Sequence, residues 1–335
     1  MRVNLHEAMR RAVEASEQAR GRTSPNPPVG AVVLDVAGTI AGVGATQPPG
    51  GPHAEVMALR EAGERAFGGT LVVTLEPCDH QGRTPPCSKA VIEAGIAQVH
   101  YAVDDPMALA SGGARTLRRA GVVVTTWHDP SAVARGPLRS WLHRQRTGRP
   151  HITYKYAASL DGRCAAEDGS SQWISGSASR ARDRLERSRI DAIIVGTGTV
   201  LADDPWLTAR LPDGSLADHQ PARVVVGTRE LPPAARVLDD AAPTILVRSR
   251  EISAVLDALG DRTDVVLEGG PHLAGAFFQA GYIDRITAYV APMILGAGTP
   301  AVVGAGVGNI DQAHRFDCES VEMLGEDVLI SLVPR

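Results

Sequence analysis

His53-Ala54-Glu55, then Pro77-Cys78, then Cys87 constrain this chain more than any other feature of its sequence. One imidazole and two thiols are three of the four ligands of a tetrahedral zinc ion, and Glu55 is a carboxylate that need not bind the metal. Three protein ligands leave one position open, the arrangement of a catalytic zinc site rather than a structural one. To bring them together, the fold must set a helix start at His53 against a strand end at Cys78 and a second helix start at Cys87. The two cysteines lie much further apart than in the usual C-x-x-C, and the stretch between them is polar and proline-rich.

The composition sets the class. A chain of 335 residues is long for one core, so two domains are expected. A hydrophobic content of 44% with 21% charged residues is that of a soluble globular protein. The formal net charge of −4 is spread along the sequence; no basic run favours nucleic acid and no acidic tail favours disorder. Residues 1–20 mix charged and apolar side chains and lack the apolar core of a signal peptide, and no stretch has the length of a membrane span. A cytoplasmic protein without membrane or nucleic-acid partners is expected. Four cysteines make no disulfide framework: Cys78 and Cys87 cluster, whereas Cys164 and Cys318 are isolated and read as small buried hydrophobes.

Leu5, Ala8, Met9, Ala12 and Val13 recur at helical spacing, with Asn4 and Glu7 as a cap and Gly21 as a stop. A strand is expected over 29–34, a helix from His53 to Gly63, a buried strand over 70–76 and a helix over 89–94. The alternation continues through 97–103, 114–120 and 122–126. Such alternation implies an α/β layer with a largely parallel sheet. The basic segment ending Thr147-Gly148-Arg149-Pro150 marks a boundary, dividing the chain into domains 1–147 and 148–335. Beyond it, strands are expected at 152–157, 192–195, 223–226, 244–247 and 265–268, with helices at 178–189, 252–259 and 273–280 between them. The second half is therefore also α/β.

Three-ligand zinc lowers the pKa of the water in its remaining position to about 7 and so provides a nucleophile at neutral pH. A carboxylate beside the metal can carry the protons that hydrolytic deamination must move, and zinc nucleobase deaminases pair His-x-Glu with a Pro-Cys arm. Cys87 at a helix start gains thiolate character from the helix dipole. The competing reading is a closed site that only holds the loop, for which His80 would be the fourth ligand.

His53-Ala54-Glu55, the run from Thr74 through Pro77-Cys78-Asp79-His80-Gln81-Gly82-Arg83-Thr84-Pro85-Pro86-Cys87, and Ser24-Pro25-Asn26-Pro27-Pro28 resemble the deaminase half of the bifunctional riboflavin-biosynthesis deaminase-reductases. The long loop between the cysteines is a mark of that family. The resemblance implies a cytidine-deaminase-like α/β/α domain with one zinc on His53, Cys78 and Cys87. It implies Glu55 as proton donor, Asn26 on the pyrimidine, and His80, Arg83 and Thr84 near the substrate phosphate. One departure stands out. Where the family carries Asp-Pro-Asn-Pro and a Gly-Arg-Gly-like turn, this chain has Asp105-Pro106-Met107-Ala108-Leu109-Ala110-Ser111-Gly112-Gly113, which replaces an amide and an arginine by apolar or small groups.

In the second half, Lys155 to Arg163, Ser171 to Ser175, Gly196 to Pro205, Leu207 to Arg210 and Leu267 to Leu273 are similar to the reductase domain of the same family. The resemblance implies a dihydrofolate-reductase-like α/β fold that binds NADPH. It places Ala157, Trp173, Thr199, Asp203, Gly270, Pro271, His272, Leu273, Ala274, Gly275 and Ala276 at the cofactor. Lys155, Ser171, Arg187, Leu207, Arg210 and Glu268 would face the substrate, with Lys155 and Asp203 as ionisable groups for protonating the sugar. Taken alone, Trp173 fits a buried core as well as a cofactor contact, and Asp203-Asp204-Pro205 fits a bare turn. Gly296-Ala297-Gly298-Thr299-Pro300-Ala301 matches a Rossmann fingerprint, but Pro300 and the glycines after it deny the match a helix, so a loop is expected.

The family resemblance implies deamination of a phosphorylated diaminopyrimidine followed by NADPH-dependent reduction of its ribosyl group, in a homo-oligomer, dimer or tetramer. A deaminase of nucleic-acid bases would need a basic face rich in aromatics, and aromatics are only 4%. A reductase whose first half is a zinc-stabilised, catalytically impaired binding module is the other rival, kept open by the altered loop at Met107 to Gly113.

Overall fold

The computed structural model describes residues 2–82 and 85–335. They fall into two compact units, one up to Arg149 and one from Pro150 onward. Among the described residues, no helix is long and apolar enough to cross a membrane.

The first unit contains α1 (Leu5–Ala19), β1 (Gly30–Leu34), β2 (Ile40–Ala45), α2 (Ala54–Ala62), β3 (Thr70–Leu75), α3 (Cys87–Glu93), β4 (Gln98–Val103), α4 (Gly113–Arg119), β5 (Val123–Thr126), α5 (Ser131–Ala134) and α6 (Arg139–Thr147). Asn4 caps α1, its Oδ1 accepting from the Glu7 N–H at 2.8 Å. The strands form one sheet in the order β2-β1-β3-β4-β5. β1 runs antiparallel to both β2 and β3, while β3, β4 and β5 are parallel. The sheet is thus mixed rather than largely parallel. Strand β2 escaped the sequence reading because Ile40-Ala41-Gly42-Val43-Gly44-Ala45 is mostly small residues.

Those small residues have a packing cause. A Cβ on Gly42 would lie 2.2 Å from the Ala58 carbonyl oxygen, and one on Gly44 would lie 2.1 Å from that of Ala54, so α2 rests backbone to backbone on β2. A Cβ on Gly30 would lie 1.9 Å from the Ala12 carbonyl oxygen, so α1 approaches β1 equally closely. Gly30 pairs with Ala45 and Gly44 with Ala31, so with strand side chains alternating the two helices cover opposite faces. The segment 130–149, expected only as a boundary, forms α5 and α6 and adds Val133, Leu138 and Trp141 to the first core. We expect Gly44→Val to lower first-unit stability by about 3 kcal/mol, the upper range for overpacking, read as a drop in the urea midpoint. An unchanged midpoint would mean that α2 can lift off β2 freely.

The second unit contains β6 (His151–Ser159), β7 (Arg163–Ala165), α7 (Ser177–Arg187), β8 (Ala192–Gly196), α8 (Thr197–Asp203), β9 (Ala222–Val226), β10 (Thr244–Val247), α9 (Ile252–Leu259), β11 (Asp264–Leu267), α10 (Pro271–Gln279), β12 (Arg285–Ala291), β13 (Thr299–Pro300), β14 (Phe316–Leu324) and β15 (Asp327–Pro334). Its main sheet has the order β10-β9-β8-β11-β6-β12-β15-β14. The strands from β10 to β12 are parallel, and the β14–β15 hairpin closes one edge antiparallel. Neighbouring residues such as Ile193 and Ile194 belong to different cores, so the sheet is covered on both faces.

The glycine-rich segment 296–308 forms no α-helix, as Pro300 and its glycines dictate; only Thr299–Pro300 pairs, with β7. The expected burial of the isolated cysteines does not hold. Cys318 is exposed on the edge strand β14, and Cys164 is only partly buried on the short β7.

Candidate active sites

His53 is the N-cap of α2, Cys78 follows the end of β3, and Cys87 opens α3. His53 Nδ1 lies 3.6 Å from Cys78 Sγ and 3.3 Å from Cys87 Sγ. Ligands held at zinc bonding distance on neighbouring tetrahedral vertices stand about 3.5–3.8 Å apart, so the three atoms fit a zinc ion. Their ligand atoms all lie within 4.8 Å of one another, and they are the metal-capable cluster among the described residues. His80 is not part of it, which leaves the closed-site reading without its fourth ligand.

Glu55, the second residue of α2, is 4% exposed. Burial pushes its carboxyl up to about 7, and the nearby Cys78 thiol adds to the rise. A carboxyl poised there can both take and return a proton at neutral pH. The Cys87 backbone N–H donates to Cys78 Sγ at 3.4 Å. Hydrogen bonding from Cys87, joined by His53, holds the Cys78 thiol well below its ordinary range despite burial. The same contact, with burial, pushes Cys87 up. The pair thus favours one thiolate sharing a proton with one thiol.

Two acids that the sequence reading passed over hold this region in place. Glu76, buried at the end of β3, accepts from the backbone N–H groups of Gly112 (3.2 Å), Ala114 (3.0 Å) and Asp105 (3.3 Å). Asp79 accepts from the hydroxyls of Ser88 (2.6 Å) and Thr116 (2.7 Å), and its own N–H donates to the Ala110 carbonyl at 2.9 Å. A Cβ on Gly113 would lie 1.8 Å from the Pro77 carbonyl oxygen, so α4 starts directly against the arm carrying Cys78. The altered loop is therefore pinned beside the metal cluster although its side chains are unusual; Met107 and Leu109 remain exposed. No local sequence signal marks Glu76, because its partners are backbone groups of a loop some thirty residues further on.

Asn26 is half-buried in the loop before β1, its N–H donating to the Thr23 carbonyl at 2.7 Å. His80 lies against Gly82, and its Nδ1 is buried with no partner among the described residues. Arg83 and Thr84 lie outside the described residues.

In the second unit, Lys155, Arg187 and Glu268 converge from β6, α7 and the end of β11. Both oxygens of Glu268 accept from Arg187 Nη2 at 3.0 Å, and Lys155 Nζ lies 3.5 Å from Glu268 Oε1. Asp183, absent from the sequence reading, completes the cluster, 3.1 Å from Lys155 and 3.2 Å from Arg187. Burial opposes charge on Lys155, Arg187 and Asp183. Even so, Asp183 and Glu268 hold Lys155 above its ordinary range, Glu268 and Asp183 do so for Arg187, and the two cations hold Asp183 below its own. Arg187 Nε is buried without a partner among the described residues.

Thr199 lies in α8 against Gly270, where a Cβ would be 3.7 Å from its Oγ1. Pro271, His272 and Leu273 form the first turn of α10, which starts two residues earlier than expected because proline suits a helix's first position. Ala274 lies in the core and Ala276 follows on α10; Gly275 packs on the Val303 carbonyl, 1.8 Å from a would-be Cβ. Ala157 pairs with Tyr289 across the sheet, and Ser171 is half-buried in the turn before Trp173. Trp173 is 66% exposed, so the buried-core reading fails; the Arg180 guanidinium sits 4.7 Å from its ring centroid.

Asp203 ends α8, and partial burial raises its carboxyl. The following turn is more than a bare one. Asp204 and Leu207 both adopt positive φ, 40° and 55°, a costly conformation for such residues. Arg223, fully buried on β9, helps to hold it by donating to the Trp206 carbonyl at 3.3 Å and to Asp239 Oδ1 at 2.7 Å. Arg210 leaves this turn with its guanidinium 5.2 Å from the Trp206 ring centroid and Nη1 on the Gly214 carbonyl.

Comparison with known proteins matches the two halves separately. Residues 2–103 match the cytidine and deoxycytidylate deaminase zinc-binding region, and residues 150–330 match the RibD C-terminal domain. Riboflavin biosynthesis protein RibD of Mycobacterium tuberculosis is 58% identical over 332 residues, covering 99% of this chain and 98% of that one. Its counterpart in Escherichia coli is 37% identical over 97% of this chain and 98% of its own. Among solved structures, Acinetobacter baumannii RibD superposes with a TM-score of 0.87 at 35% identity. The diaminohydroxyphosphoribosylaminopyrimidine deaminase/5-amino-6-(5-phosphoribosylamino)uracil reductase of Thermotoga maritima does so with 0.88 at 31% identity, and both comparisons cover 99% of each chain. These matches carry the expected fold class, a cytidine-deaminase-like domain followed by a reductase-type α/β domain. With both halves matched in order and nearly full coverage on both sides, this chain belongs to the RibD family of riboflavin biosynthesis proteins.

Proposed function

We propose that this chain is a bifunctional enzyme that carries out two successive steps on one phosphorylated pyrimidine. In the first, 2,5-diamino-6-ribosylamino-4(3H)-pyrimidinone 5′-phosphate takes up water at C2 and loses ammonia. In the second, the ribosyl group of the product is reduced to ribityl at the expense of NADPH. The observation that carries the reading is the three-ligand cluster of His53, Cys78 and Cys87 with a buried carboxyl, Glu55, beside it. We assign the first step to residues 1–147 and the second to residues 148–335.

Zinc bound by His53, Cys78 and Cys87 would supply a water activated at neutral pH and polarise the reacting centre. Glu55 takes the proton of the attacking water and delivers protons to the ring nitrogen and to the departing amine, a task suited to a carboxyl near 7. Asn26 orients the pyrimidine, and His80, Arg83 and Thr84 bind the phosphate. The pinned loop at 105–114 carries apolar or small groups where the family has an amide and an arginine, so specificity falls on Asn26 and the phosphate contacts. An N-terminal module that only binds would have no use for Glu55 in a buried site beside metal ligands.

For the second step, NADPH would supply the hydride. The fit is local: Thr199 against Gly270, and Pro271 opening a nine-residue helix whose first N–H groups suit a phosphate. Ala157, Trp173, Asp203 and the α10 start at Gly270 to Ala276 would line the cofactor. Ser171, Leu207 and Arg210 would hold the substrate together with Lys155, Arg187 and Glu268, and Lys155 and Asp203 are the groups that can return a proton to the sugar.

The test is to measure zinc content, ammonia release from the diamino substrate and NADPH oxidation on one preparation of the purified chain. Near one zinc per chain and both activities are expected. Zinc and NADPH oxidation without ammonia release would instead make the first half a binding module.

A further inference from the structure

Lys155, Asp183, Arg187 and Glu268 alternate in charge around a closed ring. Asp183 reaches Lys155 through Oδ1 at 3.1 Å and Arg187 through Oδ2 at 3.2 Å, and Glu268 closes the other side at 3.0 Å and 3.5 Å. Lys155, Arg187 and Glu268 are assigned to the reduction above; Asp183 is not. Its two oxygens nonetheless serve the two cations separately, and it is the nearest anion to Lys155. Glu268 gives both its oxygens to Arg187 and only a longer contact to the lysine.

The surroundings leave Lys155 little other support. From α7 it meets Asp183 and Arg187, with Arg184 further along the helix acting on Asp183. From the end of β11 it meets Glu268. From β12 it meets Tyr289, whose ring centroid is 5.8 Å from Nζ and whose hydroxyl is kept neutral by burial and nearby acids. Arg182 and Glu186 act on the Tyr289 side. With Asp183 the ring holds two positive and two negative charges. Without it, two half-buried cations would share one carboxylate, and the lysine is the one of the two that can shed its proton. Lys155 Nζ meets Asp183 and Glu268 as ion pairs, and Arg187 Nε, without a partner among the described residues, faces the same cluster as a spare donor.

We propose that Asp183 is a positioning residue of the reduction, holding Lys155 charged and aimed while fixing Arg187 beside it. The inference rests on the reading that this half reduces the ribosyl group. It makes Asp183 part of the site through the two cations, without contact to the substrate.

The experiment compares the unsubstituted chain with Asp183→Asn, following NADPH-dependent reduction from neutral to alkaline pH, ammonia release on the same chains, and NADPH binding by fluorescence. The substitution removes the charge and keeps the shape. The basic limb of the reduction profile is expected to move acidward by about one pH unit or more, with kcat falling more than KM rises. NADPH binding and ammonia release should stay as they were. Asp183→Ser carries the same expectation and stands in if the amide variant does not fold. An unmoved basic limb would overturn the proposal whether or not the rate falls, because a merely structural role lowers the rate at every pH alike. A parallel fall in ammonia release would overturn it too, as general damage. If the unsubstituted chain itself reduces nothing, the reading beneath the proposal fails instead.

Discussion

Glu55→Gln is expected to suppress ammonia release by about a thousandfold, within the range general acid–base groups contribute, while zinc content holds, as does NADPH oxidation when the deaminated product is supplied as substrate. The amide fills the same volume but cannot take a proton from water or carry it to the leaving amine. Because Glu55 is 4% exposed, bulk water is poorly placed to substitute for it. It is not one of the three clustered metal ligands, so the metal should remain. Metal analysis and an ammonia assay on the same sample decide the matter. Ammonia release that survives the substitution would remove Glu55 from its role, and loss of zinc along with activity would make it a support of the metal site.

Arg187→Met should produce the largest effect in the second unit. It strands Asp183 and Glu268 beside Lys155 alone; the groups are half-buried, so the stability loss should fall between the about 1 kcal/mol of an exposed pair and the about 3–5 kcal/mol of a fully buried one. Loss of a charged hydrogen bond should also lower kcat/KM for the reduction by on the order of 10–100-fold. The pH dependence has a definite sign. Asp183 is held below its ordinary value, so its contribution to stability is complete above the ordinary carboxylate range and is lost as pH falls through the folded value. Lys155 is raised, so its contribution is complete below the ordinary lysine value and disappears only at higher, strongly alkaline pH. The gap in thermal midpoint between the unsubstituted chain and the variant should therefore be widest near neutrality and shrink as pH falls through the carboxylate range. A gap that stays constant would show that Arg187 acts by packing rather than charge.

The metal cluster could be read from the sequence because its chemistry admits few residue types: an imidazole, two thiols and a carboxyl leave a signature that packing alone does not imitate. The helices at residues 5–19, 54–62 and 252–259 were legible for a similar reason, their apolar spacing, joined in the first by the Asn4 cap. Strand β2 was not, since its glycines serve α2 rather than its own propensity. Strand β14 was missed as well: Asp317-Cys318-Glu319-Ser320-Val321-Glu322 is largely exposed and lacks the apolar run that marked the buried parallel strands. Helix α8 starts Thr-Gly-Thr, which local propensity disfavours. Asp183 was invisible for another reason. Within Arg180-Ala181-Arg182-Asp183-Arg184 it reads as one charge on a solvated helix face, and only the docking of α7 near β6 and the end of β11 gives it partners. Acids such as Glu76 and Asp79, which bind backbone and hydroxyls rather than substrate, likewise declare themselves only in three dimensions.

The three glycines that let α1 and α2 press onto the first sheet also determine which parts of this scaffold can be changed. His53 immediately precedes Ala54, whose carbonyl takes the Gly44 contact, so the ligand is placed by main chain against main chain with no rotamer in between. Repacking the apolar core can move side chains without shifting that reference point. A designer wanting the same metal chemistry on a different base would do best to rewrite the loops at 23–28 and 105–112. The strands bearing Gly30, Gly42 and Gly44 should be left as they are.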